Sequence, residues 1–265
     1  MGALKSFFDA NRRFSQRITP AHLHEADVSG HYRKIGTIVM SHPQVRRVAD
    51  AGAGGQWQFP AHYKDWYGLE LIGLDIDGAA MDGNTALDRR IVCDAAGEVP
   101  LDDGSVDLVM ASSGVEHFPD NRRFLQNVFR ILRPGGFLLA QFPSRYAPFA
   151  LANRLLPPAQ AKRLLRLSMG ETDLLGFKAY YDRTNYSAFR ALSERVGFRE
   201  IYHQPGYFSS CYFEFFSPLF AVSYVFDMVR YALGIRDLAS YNLFLLEKPS
   251  PDGSAAQPFR LYAWK

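Results

Sequence analysis

The sequence predicts an α/β protein built on a mostly parallel, doubly wound sheet with helical insertions, and two patterns carry that prediction. From residue 47 onward, short apolar runs alternate with segments of helical periodicity in the order strand, helix, strand, which calls for a sheet covered on both faces. The first apolar run ends in Asp50-Ala51-Gly52-Ala53-Gly54-Gly55-Gln56 and leads into a helix.

The elements follow in order. Residues 4–18 place Leu4, Phe7, Phe8, Phe14 and Ile18 at helical spacing with Arg12, Arg13 and Arg17 between them. A second helix is expected over 31–40, ending before Pro43. Strands are expected at 47–51, 69–75, 90–94, 106–111 and 136–142. Before the last of these, Asp120 can cap a helix whose apolar face is Phe124, Leu125, Val128, Phe129 and Leu132, and Pro134-Gly135-Gly136 stops it. A helix at 184–196 ends at Gly197, a strand follows at 198–203, and the last strand lies at 243–247.

The resulting division is an N-terminal helical segment at 1–45, a core at 46–142 continued at 184–205, a helical insertion at 143–183, an aromatic helical insertion at 206–240, and a last strand with tail at 241–265. Both insertions are expected over one rim of the sheet.

At 265 residues, 48% hydrophobic and 22% charged, the chain can bury a full core. Cys93 and Cys211 cannot build a disulfide framework, and no Cys/His cluster has zinc spacing, so a reducing cytoplasm is the expected compartment and no metal site is expected. The first twenty residues lack the continuous apolar run of a signal peptide. The longest uncharged apolar stretch, 215–226, is interrupted by Pro218 and falls short of the roughly 20 residues needed to cross a bilayer. A formal charge of +3 and the absence of a dense basic stripe argue against nucleic acid as a partner.

Glycines after a first strand let the backbone approach a ligand, and the helix that follows offers unbonded N–H groups. Such turns also serve NAD, FAD and plain tight turns. The dinucleotide fingerprint wants a glycine three residues after Gly54, where this chain has Trp57. Asp50, Asp75 and Asp94 then close three successive strands on one edge of the sheet, where open α/β sheets bind ligands. Singly, each is as readily a helix cap or turn residue; with the glycines, the three mark a ligand edge.

This series resembles the class I S-adenosylmethionine (SAM)-dependent methyltransferases, in the small-molecule branch of quinone-biosynthesis and lipid-linked glycan enzymes. The resemblance is close over 47–142. It also finds Asp107 starting the fourth strand, the run Glu116-His117-Phe118-Pro119-Asp120 and the turn Arg133-Pro134-Gly135-Gly136. It implies a Rossmann-like, seven-stranded sheet whose last strand is antiparallel, with SAM as cofactor. Asp50, Gly52 and Gly54 would cradle its methionine part, Asp75 the ribose, Asp94 and Ala95 the adenine; Ile76 would also touch the cofactor, and Ser112 would lie beside it. Ala51, Ala53 and Gln56 depart from the family's usual residues at the methionine end.

Methyl transfer to a hydroxyl is helped by a general base, and His117 lies on the cofactor edge as its candidate; the other reading is a histidine bonded to a nearby carbonyl. Glu116 fits a polar network better than a base. Relatives place substrate-facing residues just before the helix at 184, which here means Lys178, Tyr180, Tyr181 and Arg183. The expected function is methyl transfer to a hydroxyl of a small or lipid-linked, glycan or phenolic acceptor. The alternatives are C-methylation of a quinone-like ring and a SAM-binding, non-catalytic scaffold.

Residues 207–231 carry ten aromatic side chains, and after Pro218 the helix has only Ser223, Asp227 and Arg230 as a polar stripe. Burial in the core, a homodimer interface, or a greasy channel or membrane-facing lid would each cover such a helix. Lys162, Arg163 and Arg166 flank Leu164, Leu165 and Leu167, so two basic amphipathic segments are available for peripheral membrane contact; both also suit solvated helices.

Overall fold

The computed structural model describes residues 2–19, 28–155, 160 and 178–251. Seven strands form one sheet: β1 Arg47–Ala51, β2 Glu70–Asp75, β3 Arg89–Val92, β4 Val106–Ser112, β5 Leu132–Pro143, β6 Arg199–Gly206 and β7 Tyr241–Glu247. Their spatial order is β3-β2-β1-β4-β5-β7-β6, and β7 alone runs antiparallel to its neighbours β5 and β6. This is a Rossmann-like, doubly wound sheet. Its strand order reverses between β1 and β4, and at such a switch point a crevice opens outside the carboxyl ends of the strands.

Strand residues alternate between two apolar faces, so neither face is solvated. Ala49, Val109, Leu138 and Ala140 face one cluster, closed by Phe124, Leu125 and Val128 of helix α5 (Asn121–Ile131) and Phe189 and Leu192 of helix α7 (Tyr186–Val196). Val48, Leu108, Phe137 and Leu139 face the other, closed by Tyr32, Ile35 and Val39 of helix α2 (Val28–Met40). Two short helices, α3 (His62–Tyr67) and α4 (Gly78–Asp82), complete the crossovers between β1, β2 and β3. Asp120 caps α5 by accepting from the N–H groups of Arg122 and Arg123, and Gly197 ends α7 at φ 116°.

The helix before β5 is shorter than its apolar pattern suggests. It ends at Ile131, and Leu132, expected on its apolar face, already belongs to the strand. Asp107 explains that abrupt change. Its carboxylate accepts from the N–H groups of Arg46 and Arg47 at the start of β1 and pairs with Arg133, tying the amino ends of three strands together.

Helix α1 (Gly2–Ile18), helix α6 (Pro148–Leu155) and helix α8 (Ser217–Leu233) lie outside the alternation. α6 follows the carboxyl end of β5. α8 sits between Gly206, which ends β6, and Tyr241, which begins β7, and these two residues are paired in register. The segment containing α8 therefore leaves and rejoins the sheet at its carboxyl rim. The basic-apolar run 161–167 and the tail from 252 fall outside the described residues.

α8 turns its polar residues toward the protein. Its polar stripe faces inward: Ser223, Asp227 and Arg230 are buried, whereas Val222, Val225, Phe226 and Val229 are exposed. Asp227 accepts from the N–H groups of Ser209 (2.8 Å) and Ser210 (2.7 Å) and pairs with Arg230, which donates to the carbonyls of Tyr207 (2.8 Å) and Leu238 (2.7 Å). The stripe thus satisfies the backbone of the loops around it, at both ends of the insertion. α1 packs beside it, with Phe8 against Phe215 at 5.9 Å and Asn11 Oδ1 accepting from Ser217 N–H at the start of α8.

Candidate active site

The glycine turn lies at the switch point. Gly52 (φ 77°) and Gly54 (φ 49°) adopt left-handed backbone conformations that side-chain-bearing residues rarely accept. A Cβ on Gly52 would stand 3.6 Å from Gly114 Cα in the loop after β4, so the two loops flanking the crevice nearly touch there. A Cβ on Gly54 would meet nothing within 4 Å, so the backbone at that point borders open space. Asn84 fixes the turn from beneath, donating to the carbonyls of Ala53 and Gly54 at 3.3 Å each.

The three carboxylates gather on this edge with different environments. Asp50, next to last in β1, is buried, and burial followed by the Asp75 charge raises its pKa to about 7. No described residue donates a hydrogen bond to its carboxylate in return, although Tyr32 lies near enough for the Asp50 charge to raise the phenol's pKa further after burial itself. Such a carboxylate is suited to a cationic partner. Asp75 ends β2 and is half-buried; Oδ2 accepts from Gly54 N–H at 3.0 Å and Oδ1 from Asp77 N–H at 2.9 Å. Each oxygen keeps acceptor capacity for a ligand hydroxyl. Ile76, next to it, is an exposed apolar side chain that can cover one face of a ring.

Asp94 lies two residues beyond the end of β3 rather than closing it, because the strand stops at Val92. Its Oδ1 accepts from Ala96 N–H at 2.8 Å, shaping the turn in which Ala95 is buried. Ser112 ends β4 and accepts from Gln141 Nε2 at 2.8 Å; the amide's other end, Oε1, is buried with no described partner.

Beyond β4, a single turn at Val115–His117 carries Glu116 inward and His117 to the rim. Burial raises the Glu116 pKa to about 8, and its Oε2 has no described partner. The Glu116 carbonyl accepts from the N–H groups of Tyr180 and Tyr181, bringing the residues before α7 to this turn. His117 Nδ1 lies 3.1 Å from the Lys178 carbonyl. A carbonyl only accepts, so that bond puts a ring proton on Nδ1; Nε2 lies 3.8 Å from Glu116 Oε1.

The other candidates distribute unevenly. Tyr180 is exposed, with Lys178 Nζ 4.6 Å from its ring centre. Tyr181 is buried against Ala147 and Ala150. Arg183 pairs with Asp182 at 3.0 Å and borders a groove of about 390 Å³ between α5 and α7. That groove contains no residue of the glycine turn or of the strand ends, and the crevice at the switch point has the better chemistry. His203 sits on the sheet face between Tyr186 and Phe244, its pKa lowered to about 4 chiefly by burial. Among the described residues, no three of His, Cys, Asp and Glu come together to hold a metal ion.

Sequence reasoning passed over Tyr32, Asn84 and Gln141. Gln141 had a signal, a lone amide in the apolar run 137–142. Tyr32 and Asn84 had none, since their partners are distant in the chain.

Residues 49–140 match the methyltransferase domain family. The match runs from β1 into β5 and so takes in the glycine turn, all three carboxylates and His117. A probable S-adenosylmethionine-dependent methyltransferase of Mycolicibacterium smegmatis is 34% identical over 110 residues, covering 38% of this chain and 39% of that protein. The chain spans about two fifths of the length of the curated relatives it matches. Phosphoethanolamine N-methyltransferase 2 of Haemonchus contortus, solved with S-adenosyl-L-methionine, superposes with a TM-score of 0.54 at 15% identity, covering 83% of this chain and 53% of that one. Geranyl diphosphate C-methyltransferase of Streptomyces coelicolor A3(2) superposes with a TM-score of 0.51 at 14% identity, covering 83% and 77%. These two likenesses concern the methyltransferase fold, and the acceptors they name differ widely.

Proposed function

We propose that this chain is a SAM-dependent methyltransferase acting on a hydroxyl of a small or lipid-linked acceptor, glycan or phenolic. The observation that carries the cofactor assignment is Asp50, a buried carboxylate with no hydrogen-bond donor among the described residues, beside a glycine turn that borders open space. SAM supplies an activated methyl group on a sulfonium that needs little further activation. Asp50 would hold the methionine ammonium against Gly52 and Gly54. Asp75 would accept from the ribose hydroxyls, Ile76 would cover the adenine, and Asp94 with Ala95 would border its edge. Ser112, bonded to Gln141, would line the space beside the methyl group.

The protein's remaining task is to align the acceptor and exclude water, which is catalysis by proximity. His117 is the base of this reading. Its Nε2 takes the acceptor's hydroxyl proton as the oxygen bonds to the methyl carbon and the sulfur–carbon bond breaks, leaving a neutral thioether. Tyr180, Tyr181 and Arg183 belong to the acceptor side, tied to the His117 turn through the Glu116 carbonyl. A lipid-linked acceptor would reach the site from a membrane surface, with the protein in peripheral contact from the cytoplasmic side.

Calorimetry with SAM and with S-adenosylhomocysteine tests the cofactor assignment. One site per chain is expected, and tight NADH binding without SAM binding would refute it.

A further inference from the structure

We infer that α1 and α8 together form a docking face for an anionic lipid surface. This deepens the peripheral contact proposed above by naming the face and the lipid chemistry, and its test does not depend on methyl transfer. The carrying observation is the apolar outer face of α8: Val222, Val225, Phe226, Val229 and Leu233 recur at helical spacing and are all half-exposed or more, up to 70% at Val222. The helix extends for 17 residues, about 25 Å at 1.5 Å per residue, and none of its exposed side chains is charged; Tyr231, at the carboxyl end, adds an exposed phenol.

Rotating α8 to hide this stripe would expose the Asp227–Arg230 pair's partners and strip the N–H groups of Ser209 and Ser210 of their acceptor. The buried pair therefore holds the apolar face outward. An exposed stripe of this size on a helix marks a contact surface.

α1 names the occupant. It is fixed to α8 through Asn11 and Phe8, and it too exposes apolar side chains: Phe7, Phe14 and Ile18. Arg13 and Arg17, both exposed, lie roughly 100° around the helix from that stripe at 3.6 residues per turn. Apolar side chains entering the acyl region with arginines beside them at headgroup level is the arrangement of an interfacial helix. The exposed side of α8 carries no acidic residue to oppose anionic headgroups. Because the segment holding α8 begins and ends at the carboxyl rim, docking on this face brings that rim close to the lipid, within reach of an acceptor anchored there.

Flotation of the full chain with vesicles tests this. Binding is expected to vesicles of equal parts phosphatidylcholine and phosphatidylglycerol, and to weaken with added salt and with phosphatidylcholine alone. Val222→Ser/Val225→Ser/Val229→Ser, all at exposed positions, should lower partitioning by about tenfold or more while leaving the melting temperature unchanged. Arg13→Glu/Arg17→Glu should remove the preference for the anionic lipid. A chain that ignores both vesicles overturns the inference. Should it sediment as a dimer that the valine substitutions dissociate, the face is a self-association interface. Should those substitutions instead lower the melting temperature in the absence of lipid, the chain itself covers the face.

Discussion

The backbone N–H of Gly54 donates to Asp75 Oδ2 over 3.0 Å, joining the glycine turn after β1 to the last residue of β2. One carboxylate thus shapes the turn and faces the crevice. Asp75→Ala is expected to weaken SAM binding by roughly 1.5–3 kcal/mol, the scale of hydrogen bonds to a charged acceptor. Calorimetry measures the loss, and an affinity equal to the parent's would sever Asp75 from the cofactor.

His117→Ala is expected to lower turnover by roughly 10²–10⁴-fold with little change in SAM affinity, the usual span for general acid–base catalysis. A rate matching the parent's would reduce His117 to its bond with the Lys178 carbonyl, and would favour an acceptor that needs no deprotonation.

Two buried acids set a pH dependence. Asp50, from 3.8, is raised to about 7 by burial and the Asp75 charge; Glu116, from 4.5, is raised to about 8 by burial. Between the unfolded and folded values the native state binds more protons than the unfolded chain. Their contribution to stability is complete below the unfolded values and is lost as pH rises through the folded ones. The cofactor-free protein should therefore melt at progressively lower temperature from about pH 4 to about pH 8. Asp50→Asn/Glu116→Gln should flatten that slope, and a slope that survives the pair of changes belongs to other groups.

A cofactor cation beside Asp50 would reverse its raised pKa. SAM binding near neutral pH is then expected to release a proton. Calorimetry in buffers of different ionisation enthalpy detects it, and Asp50→Asn should abolish the buffer dependence.

Asp227→Ala leaves Arg230 charged and buried without its partner, which is expected to cost about 3–5 kcal/mol. Chemical denaturation reads this directly. A much smaller cost would mean that the carbonyls of Tyr207 and Leu238 suffice for the guanidinium.

The fold was legible because short apolar runs and glycine punctuation are local signals. All seven strands overlap the runs that predict them, with ends that differ by up to four residues, and Asp120 and Gly197 bound their helices as the sequence indicates. The gathering of Asp50, Asp75 and Asp94 toward one rim was legible for a related reason: residues at or just beyond strand ends fall on one rim once the strands are parallel. The orientation of α8 was not. The sequence shows the polar stripe but not where it points: the N–H groups and carbonyls that hold Asp227 and Arg230 inward come from 207–210 and Leu238, outside the helix. Nor does a nearly all-apolar run say which of its side chains are covered. Phe220 is core, and Phe216 is 40% exposed.

The antiparallel course of β7 has a consequence for how such a chain can diversify. Parallel neighbours must be joined by a crossover that returns to the opposite edge, whereas antiparallel neighbours can be joined by two residues. β6 and β7 form a hairpin, and everything between Gly206 and Tyr241 is its loop. That loop can be lengthened, shortened or exchanged without rethreading a single strand, so this corner of the molecule is a grafting point where new recognition surfaces can be tried while the crevice stays intact.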